Sequence, residues 1–337
     1  MKKAGKSRHD GRRPARARSG QRPGKQRLRL RTYLTPSVPR SLFAYLTDYL
    51  GERLGMATEL QIETHHSGPP RGLPDPFTEG ALDIGFFCAP PYIWLQERPE
   101  PPVELVPFGL VFEDSRNGAG RPVYFSDIVV RKDHPARSFA DLVNARWGYN
   151  DRESLSGYYS VVQTAAEHGA DATFLGRLHD MGSHLSSLRG LRRGVIDAAA
   201  IDSTVLALRW RRDPALRAEL RVLHGLGPWP IQPIVMRRSL PARLKKALTT
   251  AIGALGETAE RRRALRRWLV SGVAPMTDAD FDVERAALDR AQSLERALGG
   301  PAASAAAPVR HRASRPAGPS RGAASAGAPA ASRAAPG

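Results

Sequence analysis

The chain has 337 residues, with 51 Lys and Arg against 33 Asp and Glu and a formal net charge of +18. Residues 1–26 carry a net +9 and residues 301–337 a net +5, so everything between them carries only +4 and reads as an ordinary globular region. A single cysteine, Cys88, excludes an internal disulfide and every multi-cysteine zinc or iron–sulfur framework.

In chain order, the basic start lacks aromatic residues and is predicted to be a disordered tail, because it cannot offset the roughly 1–2 kcal/mol per residue lost on ordering a backbone. No apolar segment of about 7–15 residues follows it, which predicts a cytoplasmic chain, and no run approaches the roughly 18–20 residues of a membrane span. A strand over 27–34 ends in Thr35-Pro36-Ser37. A helix follows, with Leu42, Phe43, Leu46, Leu50 and Leu54 on one face. Strands are predicted at 59–64 and at 82–88 (LDIGFFC), where the near-continuous apolar run suits a strand buried on both faces, and Pro90-Pro91-Tyr92 opens a short helix. Further strands fall at 103–111, 123–130, 145–149, 172–175, 195–201, 220–223 and 231–236. Helical patterns occupy 138–144, 157–168, 184–193, 203–210, 241–255, 257–272 and 280–297. The alternation predicts an α/β fold.

Two Gly- and Pro-rich stretches, 118–122 (GAGRP) and 225–230 (GLGPWP), suit crossings between two lobes. They divide the chain into a first lobe over 27–120 and 229–300 and a second, inserted lobe over 121–228. The Ala- and Pro-rich 301–337 is a second predicted disordered tail.

Three loops share one property: each follows a strand, is rich in hydroxyl or Gly residues and opens a helix, which is where open α/β sheets bind ligands. In 149–158 (YNDRESLSGY), Ser154, Ser156 and Gly157 offer hydroxyls and backbone N–H groups to an anion, or are a plain N-cap. The second loop holds Ser183 and His184, the second of these also readable as a structural histidine, and the third holds Thr35 and Ser37. Asp202 opens a helix, as a cap or as a ligand contact. Tyr92 is a candidate site wall or a core residue, and Trp229 and Gln232 line a cleft or pack a hinge. Cys88 reads as an inert core thiol, and His65-His66 as a poor metal pair because adjacent strand side chains point apart.

Among the patterns sought, G-x-S-x-G, the P-loop, H-E-x-x-H and a strand-borne G-x-G-x-x-G are missing, so no catalytic residue, metal or cofactor is assigned. Ser156, His184 and Asp202 contain the residue types of a triad, but spacing says nothing of their geometry.

The stretches 124–142 (YFSDIVVRKDHPARSFADL), 149–158 and 182–203 (GSHLSSLRGLRRGVIDAAAIDS) resemble the phosphonate/phosphate-type solute-binding proteins of ABC importers, and 82–92 (LDIGFFCAPPY) resembles their first-lobe lining segment. The resemblance covers about 27–255. It implies a two-lobed type II periplasmic-binding-protein-like fold that traps a small anion of the phosphate, phosphite or phosphonate class. It also implies an ABC permease as partner; a monomer is expected, and the basic tails, whose contacts with nucleic acid or anionic lipid are sequence-blind and salt-sensitive, predict no specific nucleic-acid partner. Ser154, Ser156 and Gly157 would hold the oxyanion, Ser183 and His184 would approach from the neighbouring helix start, and Tyr92 would close the first-lobe side. Two departures stand out: Leu155 replaces a hydroxyl residue, and Leu185 stands where aminophosphonate binders carry Glu. Exported members begin with a signal segment or lipid-attachment cysteine and this sequence shows neither, so the expectation is a cytoplasmic chain as written, or a periplasmic or membrane-associated one if the family role holds and the start is misassigned. The competing reading is a cytosolic enzyme on the same fold, a small-molecule lyase or biosynthetic enzyme.

Overall fold

The computed structural model describes residues 27–175 and 177–297; the tail expectations for 1–26 and 301–337 lie outside the described residues.

Strand β1 (Arg27–Thr32) alternates, burying Leu28, Leu30 and Thr32. Helix α1 (Arg40–Leu54) starts after Pro39 and buries Leu42, Phe43, Leu46 and Leu50, each fully buried apolar side chain contributing about 1.5–3 kcal/mol. It stops at Gly55, whose φ of 61° is left-handed and favours glycine. Strand β2 (Ala57–Ile62) pairs parallel with β1, and β3 (Ile84–Phe86) pairs parallel on the other side of β1. Helix α2 (Ala89–Gln96) follows, with proline in its first turn.

The run predicted over 103–111 divides into β4 (Val103–Leu105) and β5 (Phe108–Phe112), separated at Pro107, which has no N–H to give a ladder. The chain then crosses into β6 (Val123–Arg131), β7 (Trp147–Tyr149), α3 (Ser160–Glu167), α4 (Ala172–Leu175), β8 (Leu178–Asp180) and α5 (His184–Arg192). The predicted strand at 172–175 is therefore a helical turn, started by Asp171 accepting from the Thr173 N–H at 2.9 Å; the strand lies three residues beyond it.

Strand β9 (Ala198–Asp202) leads to α6 (Ser203–Arg212) and then to α7 (Pro214–Glu219), a helix absent from the predicted elements and capped by Asp213, which accepts from the Leu216 N–H. The long β10 (Leu220–Pro230) extends the strand predicted at 220–223 through the whole 225–230 crossing. After it come β11 (Ile234–Arg237), α8 (Ala242–Gly253), α9 (Ala259–Leu265), β12 (Val270–Pro275) and α10 (Asp282–Ala297). The helix expected over 257–272 ends early, and 270–275 pairs with β5 instead.

Two five-stranded sheets result, ordered β2-β1-β3-β11-β4 and β10-β6-β9-β7-β8. Between them run β6 and β10, antiparallel to each other up to the pair Val123 and Pro230, with the Ile231 N–H donating to the Pro122 C=O at 2.8 Å. Strand β9 shows why AAAID suits the centre of the second sheet: Ala199 and Ile201 face one apolar core, Ala198 and Ala200 the other. Asp83, on the first sheet's rim, accepts from Arg29 and Arg237 and ties 27–32 to the returning strand β11. Helix α10 packs on both α2 and α3, so the C-terminal helix touches elements of both lobes.

Candidate functional site

The facing ends of the two sheets enclose a cleft with a cavity volume of about 40 Å3. A buried water needs about 10–15 Å3, so this space takes a few waters or one compact polyatomic group. Five helix starts supply its lining: residues 33–38 before α1, Cys88 before α2, Ser156 in the turn before α3, Ser183 and His184 of α5, and Asp202 and Val205 of α6. Each helix start carries unpaired N–H groups and the positive end of a dipole. The lining contains no Lys or Arg. The positive ends there are helix-start N–H groups and hydroxyl dipoles, and they share the lining with the Asp151 and Asp202 carboxyl groups.

Residues Leu155–Tyr159 form a π-helical turn running into α3. Ser154 is fully buried and caps it, its Oγ accepting from the Gly157 N–H at 3.3 Å. This corrects the sequence expectation in two ways: Ser154 is behind the cleft, not in it, and the Gly157 N–H is already engaged. Gly157 matters for a different reason. A Cβ there would lie 1.7 Å from Asn150 Oδ1 and 3.2 Å from His184 Cε1, so only glycine fits. Ser156 does line the cleft, with its Oγ 3.2 Å from His184 Nε2.

Ser183 lines the cleft but its hydroxyl is committed to its own helix, accepting from the Ser186 N–H at 3.1 Å. Burial pushes the His184 pKa down to about 4, so the ring is neutral at physiological pH. Its Nδ1, beside the Ala200 backbone, makes no hydrogen bond of good geometry. Asp202 both caps α6 and lines the cleft. Its Oδ1 accepts from the Thr204 N–H and hydroxyl, each at 2.7 Å, and its Oδ2 accepts from Gln232 Nε2 at 2.5 Å. Burial raises its pKa, opposed by these bonds.

On the other wall, Thr35 and Ser37 line the cleft, and Thr35 Oγ1 is buried with no partner. Tyr92 does not reach it. Its ring packs on Phe281 at 4.9 Å and its hydroxyl donates to Asp278 at 2.5 Å, which corrects the candidate wall to a staple between α2 and the segment before α10. Trp229 likewise is buried away from the lining, whereas Gln232 is part of it. Cys88, read as a core thiol, is buried at the head of α2 and lines the cleft, its pKa raised by burial.

Sequence reasoning missed Asn150, Asp151 and Ser67. Asn150 and Asp151 stand inside the quoted loop, where an Asx pair after a strand was a usable signal; Ser67 carried none. Behind the lining, Tyr124 lies beside Ser156, and the fully buried Glu284 has neither carboxyl oxygen hydrogen-bonded, so burial holds its pKa well above the usual range.

Two sheets joined by crossing strands, with helix starts converging on the space between, define a two-lobed solute-binding protein of the type II periplasmic-binding-protein fold. The family described as ABC transporter, phosphonate, periplasmic substrate-binding protein matches residues 32–281, and the chain belongs to it. It is thus a substrate-binding component of a transporter rather than an enzyme, which removes the competing lyase reading. The family is periplasmic, and no helix among the described residues is long and apolar enough to cross a membrane.

The fold is shared with a binding protein component of an ABC phosphonate transporter from Pseudomonas aeruginosa, at 18% identity and a TM-score of 0.69, covering 82% of this chain and 89% of that one. It is shared too with PhnD1 from Prochlorococcus marinus in complex with methylphosphonate, at 13% identity and a TM-score of 0.60, covering 81% and 98%. A Xanthomonas citri protein bound to ATP matches at 17% identity and a TM-score of 0.57, covering 80% and 98%.

Proposed function

We propose that this chain, as a periplasmic monomer, captures a compact tetrahedral oxyanion of the phosphate, phosphite or phosphonate class and presents it to an ABC permease. The observation that carries the reading is the convergence of five helix starts on a cleft lined by no Lys or Arg. Each start contributes about 0.3–1 kcal/mol to an anion, up to about 2 when partly buried. With hydroxyl donors added, the sum approaches the roughly −8 kcal/mol of micromolar binding.

Ser156, Thr35 and Ser37 donate hydroxyl bonds to the oxyanion, the neutral His184 orients Ser156, and Gly157 keeps Asn150 in place. The cavity of about 40 Å3 favours a headgroup with a short substituent over a nucleotide. In this reading the first lobe is built from about 27–120 with a return from about 229, and the second from about 121–228. The ligand closes one on the other because it contacts both.

Thermal stability of the full chain is to be measured against methylphosphonate, phosphite, phosphate, sulfate and acetate. A ligand at a hundred times its Kd adds about 2.7 kcal/mol. Stabilisation by one of the first three, lost in Ser156→Ala, is expected. Stabilisation by acetate alone, or by none of the five, overturns the proposal.

A further inference from the structure

The rim of the cleft carries contacts between the lobes that involve no ligand. The first lobe contributes a lip, the segment after β2. Its Ser67 N–H donates to Asp151 Oδ2 at 2.6 Å, and its Arg71 N–H donates to Glu153 Oε1 at 3.3 Å. Asp151 and Glu153 belong to the second lobe, in the loop between β7 and the π-helical turn.

Both sides are held rigid. On the lip, the Ser67 C=O accepts from the Cys88 N–H at 2.8 Å, and the Arg71 guanidinium sits 4.9 Å from the Trp94 ring. A Cβ on Gly68 would meet Pro91 at 2.4 Å, so the lip is seated directly on α2. In the opposing loop, Asp151 Oδ1 accepts from the Glu153 N–H at 3.0 Å, leaving the other oxygen for Ser67. Arg152 is turned away to Glu295 at 2.8 Å, so it does not neutralise Glu153.

We propose that the loop carrying Asp151 and Glu153 is a proton-sensitive latch between the lobes, so that closure, and with it ligand retention, tightens as pH falls. Glu153 is the titrating member. Its Oε2 is buried without a partner. The groups facing it are Asp151 of its own loop, Arg71 of the lip and Tyr159 of the π-helical turn. Burial first, and then the Asp151 charge, push its pKa up to about 7, against the Arg71 N–H and guanidinium. With the lip withdrawn, the carboxyl gains water and its pKa falls toward the ordinary carboxyl range, Asp151 staying beside it. The closed form thus binds the proton more tightly, and by linkage closure strengthens about tenfold from pH 8 to pH 6. Asp151 and Glu153 are positioning residues; Asp151 also lines the cleft, while Glu153 does not.

The test compares methylphosphonate Kd for the full chain and for Glu153→Gln between pH 8 and pH 5.5. The ligand's own titration cancels in the ratio of the two. The variant is expected to bind more tightly at pH 8, with the gap shrinking about tenfold by pH 6; a ratio independent of pH overturns the latch. Should methylphosphonate bind neither protein, the ligand reading fails. The latch is then read from energy transfer between dyes at the exposed positions Arg137 and Lys246, one on each lobe. Transfer rises on acidification in the unmodified chain and not in Glu153→Gln, whereas an equal response in both overturns it. Glu153→Ala serves the same comparison if the Gln variant is not recovered folded.

Discussion

The two walls of the cleft are built in different ways. The second-lobe wall is buried: Ser156 is 2% exposed, His184 5% and Asp202 3%. Its polar atoms are mostly tied to one another, by the caps at Ser183 and Asp202 and by the Ser156–His184 contact. The first-lobe wall is mostly loop, with Thr64, His65 and His66 exposed and Thr35 and Ser37 half-buried around the buried Tyr33, Ser67 and Cys88. A wall already dry and hydrogen-bonded needs little reorganisation when an anion arrives. A solvated wall has water to displace and is the natural cover. In this account the second lobe holds the ligand and the first closes on it.

Substitutions on the two walls should therefore differ in severity. Gly157→Ala should be the most damaging, because its methyl collides with Asn150 Oδ1 and the loop must rebuild. Calorimetric titration should show binding weakened more than a hundredfold, about 2.7 kcal/mol or more. Ser156→Ala, which removes one donor to a charged ligand and the partner of His184 Nε2, should cost about ten- to a hundredfold in Kd and about 1–3 kcal/mol of stability. Thr35→Ala on the first wall should cost only a few-fold. Equal losses at Ser156 and Thr35 would break the comparison.

Two buried titratable groups sharpen it through stability. His184 has a folded pKa below its unfolded value, so the unfolded chain takes up protons first as pH falls. Stability present above about pH 6.5 is lost down to about pH 4. Denaturant titration should show up to about 3 kcal/mol of that loss removed in His184→Gln. Glu284 is the reverse case: its raised folded pKa means that stability falls as pH rises above the ordinary carboxyl range. Glu284→Gln should flatten that pH dependence in the same titration, since the titrating carboxyl is gone while a buried polar group remains.

Much of this architecture was legible along the chain. The apolar spacing of Leu42, Phe43, Leu46 and Leu50 and the continuous LDIGFFC run each mapped onto an element, because burial pattern and local period agree there. The reading of 172–175 as strand failed because Asp171 caps a helical turn in which Phe174 is buried. The reading of 257–272 as one helix failed because the short, glycine-bearing VSGVAP finds a partner only in distant β5. At the site, loop position was legible and side-chain direction was not. Thr35, Ser37, Ser156, Ser183, His184 and Asp202 line the cleft, whereas Ser154 points back into its own turn and Tyr92 points toward α10. Pairing across the rim, Ser67 with Asp151 and Arg71 with Glu153, joins residues more than eighty positions apart.

The most direct measurement of the central claim is the change in backbone amide resonances of the isotope-labelled full chain on adding methylphosphonate. The account predicts that the largest shifts fall on Leu155, Ser156, His184 and Thr204, at three helix starts of the second lobe, with smaller ones on residues 35–38. Saturable shifts confined to other regions, or no saturable shifts with methylphosphonate, phosphite or phosphate, would contradict it.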